Sequence, residues 1–198
     1  MNLQTVASVL YKPKEFFPLL KKQTFKQTFL FYLILVLLGG ILSTLSLLKT
    51  YGFSLMFFPL AYLLFMIVML AMFFALAGIQ HLSFLIFGGK GKFVDTFHLM
   101  VYGSVPSLLA GFPLNALSLI FQGNVLATII ISVVMYIFVI YSLCLEIIGG
   151  KILHNLSTGR SIFAILLPLA VLTFIVFVIL MMVFLGSFFL GAATMGGI

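Results

Sequence analysis

Asp95, His98 and Tyr102 fall at i, i+3 and i+7, a spacing that sets all three along one face of a helix. Glu146, His154 and His81 lie near the ends of other long apolar runs. Ionisable groups inside apolar segments are functional candidates because lipid penalises charge, and together these six residues can hold a proton or a cation. They can equally be structural, with Asp95 as a helix cap and Glu146 paired to a lysine or histidine to seal the loops. The three histidines and the single cysteine, Cys144, show neither HxxxH nor CxxC spacing, so no metal is expected. There is no HExxH, no GxSxG and no pair of carboxylates, and the chain has only three acidic residues. General acid–base chemistry has few routes here, so no catalytic residue, no cofactor and no enzymatic activity is expected.

The elements that would carry these residues are set by where charge is absent. The 198 residues are 64% hydrophobic and 7% charged, far from the roughly 25% charged residues of a soluble domain. Asp, Glu, Lys and Arg are missing from 27–48, 50–89, 96–145 and 161–198. About 20 residues cross the hydrocarbon as a helix. The run 50–89 shows no turn in its middle, so it gives an interfacial stretch and one long tilted helix. The run 96–145 divides at Gln122-Gly123-Asn124, its only polar turn chemistry. The expectation is all-α: a polytopic transmembrane bundle of five helices, with spans near 29–48, 59–87, 97–121, 125–148 and 161–185. Pro106 and Pro113 disturb the third span, and the Gly/Ala-rich tail after 185 is too short and small-sided to make a further span. Residues 1–28 form a basic segment and 29–198 the membrane domain. Five lysines and two prolines precede the first run, so no cleaved signal peptide is expected. Cys144 excludes an intrachain disulfide and is expected to pack in the core.

Orientation follows from lysine and arginine placement. Lys12, Lys14, Lys21, Lys22 and Lys26 precede span one, Lys90 and Lys92 follow span two, and Lys151 and Arg160 follow span four. With five spans these nine of the ten basic residues share a side, leaving only Lys49 opposite. The N-terminus is thus expected in the cytoplasm and the C-terminus outside, in a cell membrane. Anionic lipid headgroups, rather than nucleic acid, are the expected partners of the net charge of +7.

Gly88-Gly89-Lys90 and Gly149-Gly150-Lys151 both read as helix ends, with glycine closing the helix and lysine facing its negative terminus. Their likeness suggests either an internal repeat or a common solution for an inward-ending helix. The run Gly88-Gly89-Lys90-Gly91-Lys92 lacks phosphate-loop spacing, and headgroup binding suits it better than nucleotide. Gly103, Ser107 and Gly111 recur every fourth residue in span three, as do Ser187 and Gly191 near the C-terminus. Small residues let helices approach closely, inside the bundle or between copies, so a homo-oligomer or a membrane-protein partner is open. Before span one, Pro13 can open a short interfacial helix whose Phe16, Phe17 and Leu20 enter the headgroup region beside the lysines.

In order and spacing, four stretches resemble the Ypt-interacting-protein (YIP) domain family of five-span membrane proteins. They are Pro13-Lys-Glu-Phe-Phe17, Gly88-Gly-Lys-Gly-Lys-Phe93, Tyr102-Gly-Ser-Val-Pro106 and the run from Gly150 to Ser161 that leads to Leu166-Leu167-Pro168. The resemblance covers about 10–183. It implies the five-span fold, and its eukaryotic members are implied to bind prenylated Rab-type GTPases in vesicle trafficking and membrane shaping. The long cytosolic N-terminal region of those members is not in this sequence, which looks like the shorter bacterial and archaeal form, so GTPase binding is not expected. Two functions remain: a non-enzymatic integral membrane scaffold that organises bilayer or partners, or a small transporter of ions, protons or lipid using Asp95, His98 and Glu146.

Overall fold

The computed structural model describes residues 3–52 and 54–195, with side chains placed over 7–52, 54, 56–178 and 180–182. Among them there is no strand. The helices are α1 (Leu3–Tyr11), α2 (Pro13–Leu20), α3 (Phe25–Tyr51), α4 (Phe58–Ile86), α5 (Phe93–Gly103), α6 (Val105–Ile120), α7 (Val125–Leu153) and α8 (Thr158–Met195). Five helical stretches are long and apolar enough to cross a membrane, α5 and α6 together making the third.

Helix ends follow local chemistry. Thr24 Oγ1 accepts from the Gln27 amide while the Gln27 side chain accepts from the Thr24 amide, closing the first turn of α3. Gly52, at φ 69°, ends that helix in the left-handed region. Asn124 Oδ1 accepts from the Ala127 amide at 3.0 Å and opens α7 directly after the Gly123 turn. A single 3₁₀ turn, Leu55–Phe57, precedes α4; Phe53, expected at the interface, lies outside the described residues.

The third span breaks between Gly103 and Val105. Pro106 offers no N–H to the carbonyl of Tyr102, and its ring crowds that carbonyl. The Ser107 amide then donates to Ser142 Oγ of α7 at 3.2 Å, so a neighbouring helix accepts one donor at the break. Pro113 is absorbed within α6 without a break.

Burial concentrates at one end. One core joins Val9, Phe16, Phe17 and Leu20 to Phe84, Leu99, Tyr102, Leu145, Leu153 and Ile165. A second, aromatic core joins Tyr32 and Phe97 to Phe73 and Phe74, with the Tyr32 and Phe73 rings 4.0 Å apart. By contrast no described residue of α7 before Ser142 is buried. Every described side chain of 169–182 in α8 is exposed. These lengths of α7 and α8 are thus exposed, whereas α3 stays buried at Thr44 and Leu48 and packs on α6.

Three expectations are corrected. Phe16, Phe17 and Leu20 do not enter the headgroup region: they are 1%, 0% and 0% exposed, buried in protein. A glycine notch explains this, because Gly149 leaves room on α7 for the Phe17 ring, and α2 docks there. Gly149 and Gly150 do not end their helix either; α7 continues to Leu153, and the left-handed residue beyond it is Asn155 at φ 54°. Only the other knot turns on glycine, at Gly88 with φ 84°. Cys144 is exposed on α7 rather than packed in the core.

Candidate functional site

The three basic segments meet at the packed end. The Lys90 amide donates to the His154 carbonyl at 3.0 Å, linking the α4–α5 loop to the α7–α8 loop. The Arg160 guanidinium lies beside Gly88. Lys49 sits at the opposite end, its ammonium donating to the Leu119 carbonyl in the last turn of α6. Lys12, Lys14, Lys21, Lys22, Lys26, Lys90, Lys92, Lys151 and Arg160 are all exposed.

Beneath this basic rim the six predicted polar residues divide into separate assemblies. The first joins His81 of α4, Thr96 of α5 and His154 after α7. Thr96 Oγ1 lies 2.9 Å from His81 Nδ1 and 3.1 Å from His154 Nε2. A hydroxyl carries one proton, so Thr96 donates to one ring and accepts from an N–H of the other, which couples the two tautomers. His154 stacks on Phe84 with centroids 4.2 Å apart and is wholly buried. Its remaining nitrogen, Nδ1, has no hydrogen-bond partner, and Gly91 covers it so closely that a Cβ there would sit 2.6 Å away. Burial pushes the His154 imidazole down to about 4, outweighing the attraction of Asp95, while His81 and Lys21 push the same way. The chain of bonds therefore ends in a neutral, covered ring. Asp95 does not join it: its carboxylate accepts from the Lys92 amide at 2.7 Å and fixes the start of α5.

The second assembly is on another face of α5. Tyr102 donates to Gln23 Oε1 at 2.8 Å, tying the α2–α3 turn to α5. His98, one turn earlier, is 1% exposed, and both its nitrogens are without a partner in bonding geometry.

Glu146 stands apart from both. Its carboxyl is not paired with a lysine or histidine; the only ion pair among the described residues is Lys12–Glu15 at 3.4 Å. Instead the side chain crosses Gly103, where a Cβ would meet Glu146 Cγ at 2.5 Å. It lines an apolar cavity of about 270 Å³ with Gln80, Met100, Leu143, Pro168 and Leu172. The pairing expected from sequence fails because Glu146 lies two turns inside the end of α7, beyond the reach of the loop cations.

Sequence reasoning missed the polar atoms that repair α8. Pro168 has no N–H for the carbonyl of Ala164, and Ser83 Oγ and Gln80 Nε2 donate to that carbonyl at 2.6 and 2.9 Å. A lone glutamine followed three residues later by serine in a span was the available signal. Thr96 was missed beside the more conspicuous Asp95. The small residues of span three lie against neighbours: Gly103 against Glu146, Ser107 against Ser142, and Gly111 facing Met135. The side chains of Ser187 and Gly191 lie outside those described. Among the described residues no three His, Cys, Asp or Glu side chains converge as a metal site would.

Fold and composition define a multi-pass α-helical membrane protein. The chain matches the Yip1 domain over residues 7–181 and belongs to that family. No curated protein and no solved structure matches it.

Proposed function

We propose that this protein is a non-enzymatic membrane scaffold, held in the cell membrane with its basic end in the cytoplasm, whose free helix lengths associate with another transmembrane helix. The observation that carries this is α8: the described side chains of 169–182 are all exposed although the same helix is locked into the bundle at Ser161, Ala164 and Ile165. Helix association in lipid rests on close packing, and an apolar rod held at one end offers the face turned away from the bundle to a partner. The division of the polar residues supports the same reading. The histidine pair ends blindly under Gly91, and Tyr102 is engaged by a loop, so these groups act as tethers between α3, α4, α5 and the α7–α8 loop. The concentration of nine of the ten basic residues at the packed end supports a cytoplasmic N-terminus.

Photo-cross-linking residues placed singly at Phe174, Phe177 and Leu180, which lie outside the cavity lining, test this in native membranes. A discrete cross-linked protein or a second copy is expected from at least one position, and adducts to lipid alone would overturn it. One observation favours a translocating role instead: the unpaired Glu146 in its cavity. Liposome flux separates the two readings.

A further inference from the structure

A second cavity lies at the basic end, where α2 crosses the α7–α8 junction. It is a groove of about 430 Å³ with Lys14, Lys151 and Thr158 along it and Ile147, Ile148 and Ile152 beneath. We propose that this groove is a binding site for an anionic phospholipid, its phosphate between the two ammonium groups and the upper part of an acyl chain along the isoleucines.

The two lysines come from different elements and are held in register by buried packing. Phe17, one turn after Lys14, is 0% exposed against Gly149, which is two residues before Lys151. Lys14 is therefore set over the last turns of α7 by the docking of α2 rather than by chance on a mobile tail. Neither lysine has an anionic partner among the described residues. Glu15, the only carboxylate on α2, is engaged by Lys12 at 3.4 Å and leaves Lys14 uncompensated. No acidic residue lines the groove, so nothing there draws a choline group, whereas two unpaired cations draw a phosphate. The apolar floor commits the site to a lipid rather than to a soluble anion: Ile147 and Ile148 lie one turn deeper in the span than Lys151 and Ile152, where an acyl chain begins. This site does not depend on the scaffold reading.

The test is native mass spectrometry of the delipidated full chain in detergent, titrated with phosphatidylglycerol or phosphatidylcholine. Wild type is expected to take one phosphatidylglycerol in preference to phosphatidylcholine. Lys14→Gln with Lys151→Gln is expected to weaken that first binding roughly thirtyfold, on the scale of about 1 kcal/mol for each lysine near a charged surface. Lys14→Arg with Lys151→Arg is expected to keep it, and Lys22→Gln with Lys26→Gln, which removes equal charge outside the groove, is expected to change it less than twofold. Equal binding of the two lipids, an equal loss in the Lys22 and Lys26 variant, or displacement of the lipid by millimolar inorganic phosphate would each overturn the proposal. Each single glutamine variant gives a partial loss if the pair is poorly produced.

Discussion

Replacing Gly149 by alanine sets two opposing terms against each other in the same helix. An added methyl would meet Phe17 Cε1 at 2.6 Å and would also strike Leu99 Cδ1. Ordinary contact begins near 3.4 Å, so Phe17 must give about 0.8 Å and Leu99 more, and these side chains are 0% and 1% exposed with no solvent to swing into. Overpacking of this kind costs about 1–3 kcal/mol, and the better helix propensity of alanine returns up to about 1 kcal/mol. The net is a loss of about 1–2 kcal/mol, taken either as strain across α2, α5 and α7 or as undocking of α2. Gly78, in the span α4, provides the comparison, because a Cβ there meets nothing within 4 Å. Gly78→Ala is expected to leave stability unchanged or raise it by up to about 1 kcal/mol. Thermal midpoints at one scan rate in one detergent should place Gly149→Ala about 4 °C or more below Gly78→Ala. Trypsin should also cut Gly149→Ala faster at Lys14 and Lys21 if α2 comes away. Equal midpoints with equal tryptic protection would show that the notch does not hold the N-terminal helices.

Acid should loosen the loops through His154. Its imidazole titrates near 4 in the folded chain against 6.5 when unfolded, so the unfolded state binds more protons between those values and stability falls as pH drops through that window, by up to about 3 kcal/mol. The thermal midpoint is expected to fall between pH 6.5 and 4.5, with a shallower slope in His154→Gln; identical slopes refute the assignment. Gln80→Leu combined with Ser83→Ala leaves the Ala164 carbonyl without a donor in hydrocarbon, a loss of about 1–3 kcal/mol. Pro168→Ala restores an N–H four residues on, so the same pair of changes should cost clearly less in that background, and an unchanged cost would show that the donors serve another purpose. The glutamine variants of Lys14 and Lys151 should lower anionic-lipid affinity as described above.

The membrane architecture was legible because charge in a lipid-facing segment is costly, and the gaps between charges in this chain coincide with five helical stretches. The turn at Gly123-Asn124 and the disturbance at Pro106 were legible because each residue acts on its own backbone. The role of Gly149 and Gly150 was not, since a glycine that permits close approach and a glycine that ends a helix look alike until the partner, here Phe17, is placed. The polar cluster failed for a similar reason. Helical spacing put Asp95, His98 and Tyr102 on one strip of α5, but which neighbour each meets depends on packing: Asp95 turns to its own helix start, Tyr102 to Gln23, and Glu146 crosses Gly103 on α5 without bonding to either. Thr96 and Ser83 carried no signal of their own, because a hydroxyl in an apolar run is common and gains meaning only from the ring or carbonyl it meets.

Under the proposed scaffold role the packed end is a closed set of tethers rather than a pathway. Proton flux across liposomes containing the purified full-length chain, driven by an imposed pH gradient, tests this most directly. Rates equal to those of protein-free liposomes, in wild type and in Glu146→Gln alike, are predicted. A flux in wild type that vanishes in Glu146→Gln would contradict the scaffold role and make the cavity beside Gly103 part of a conducting route.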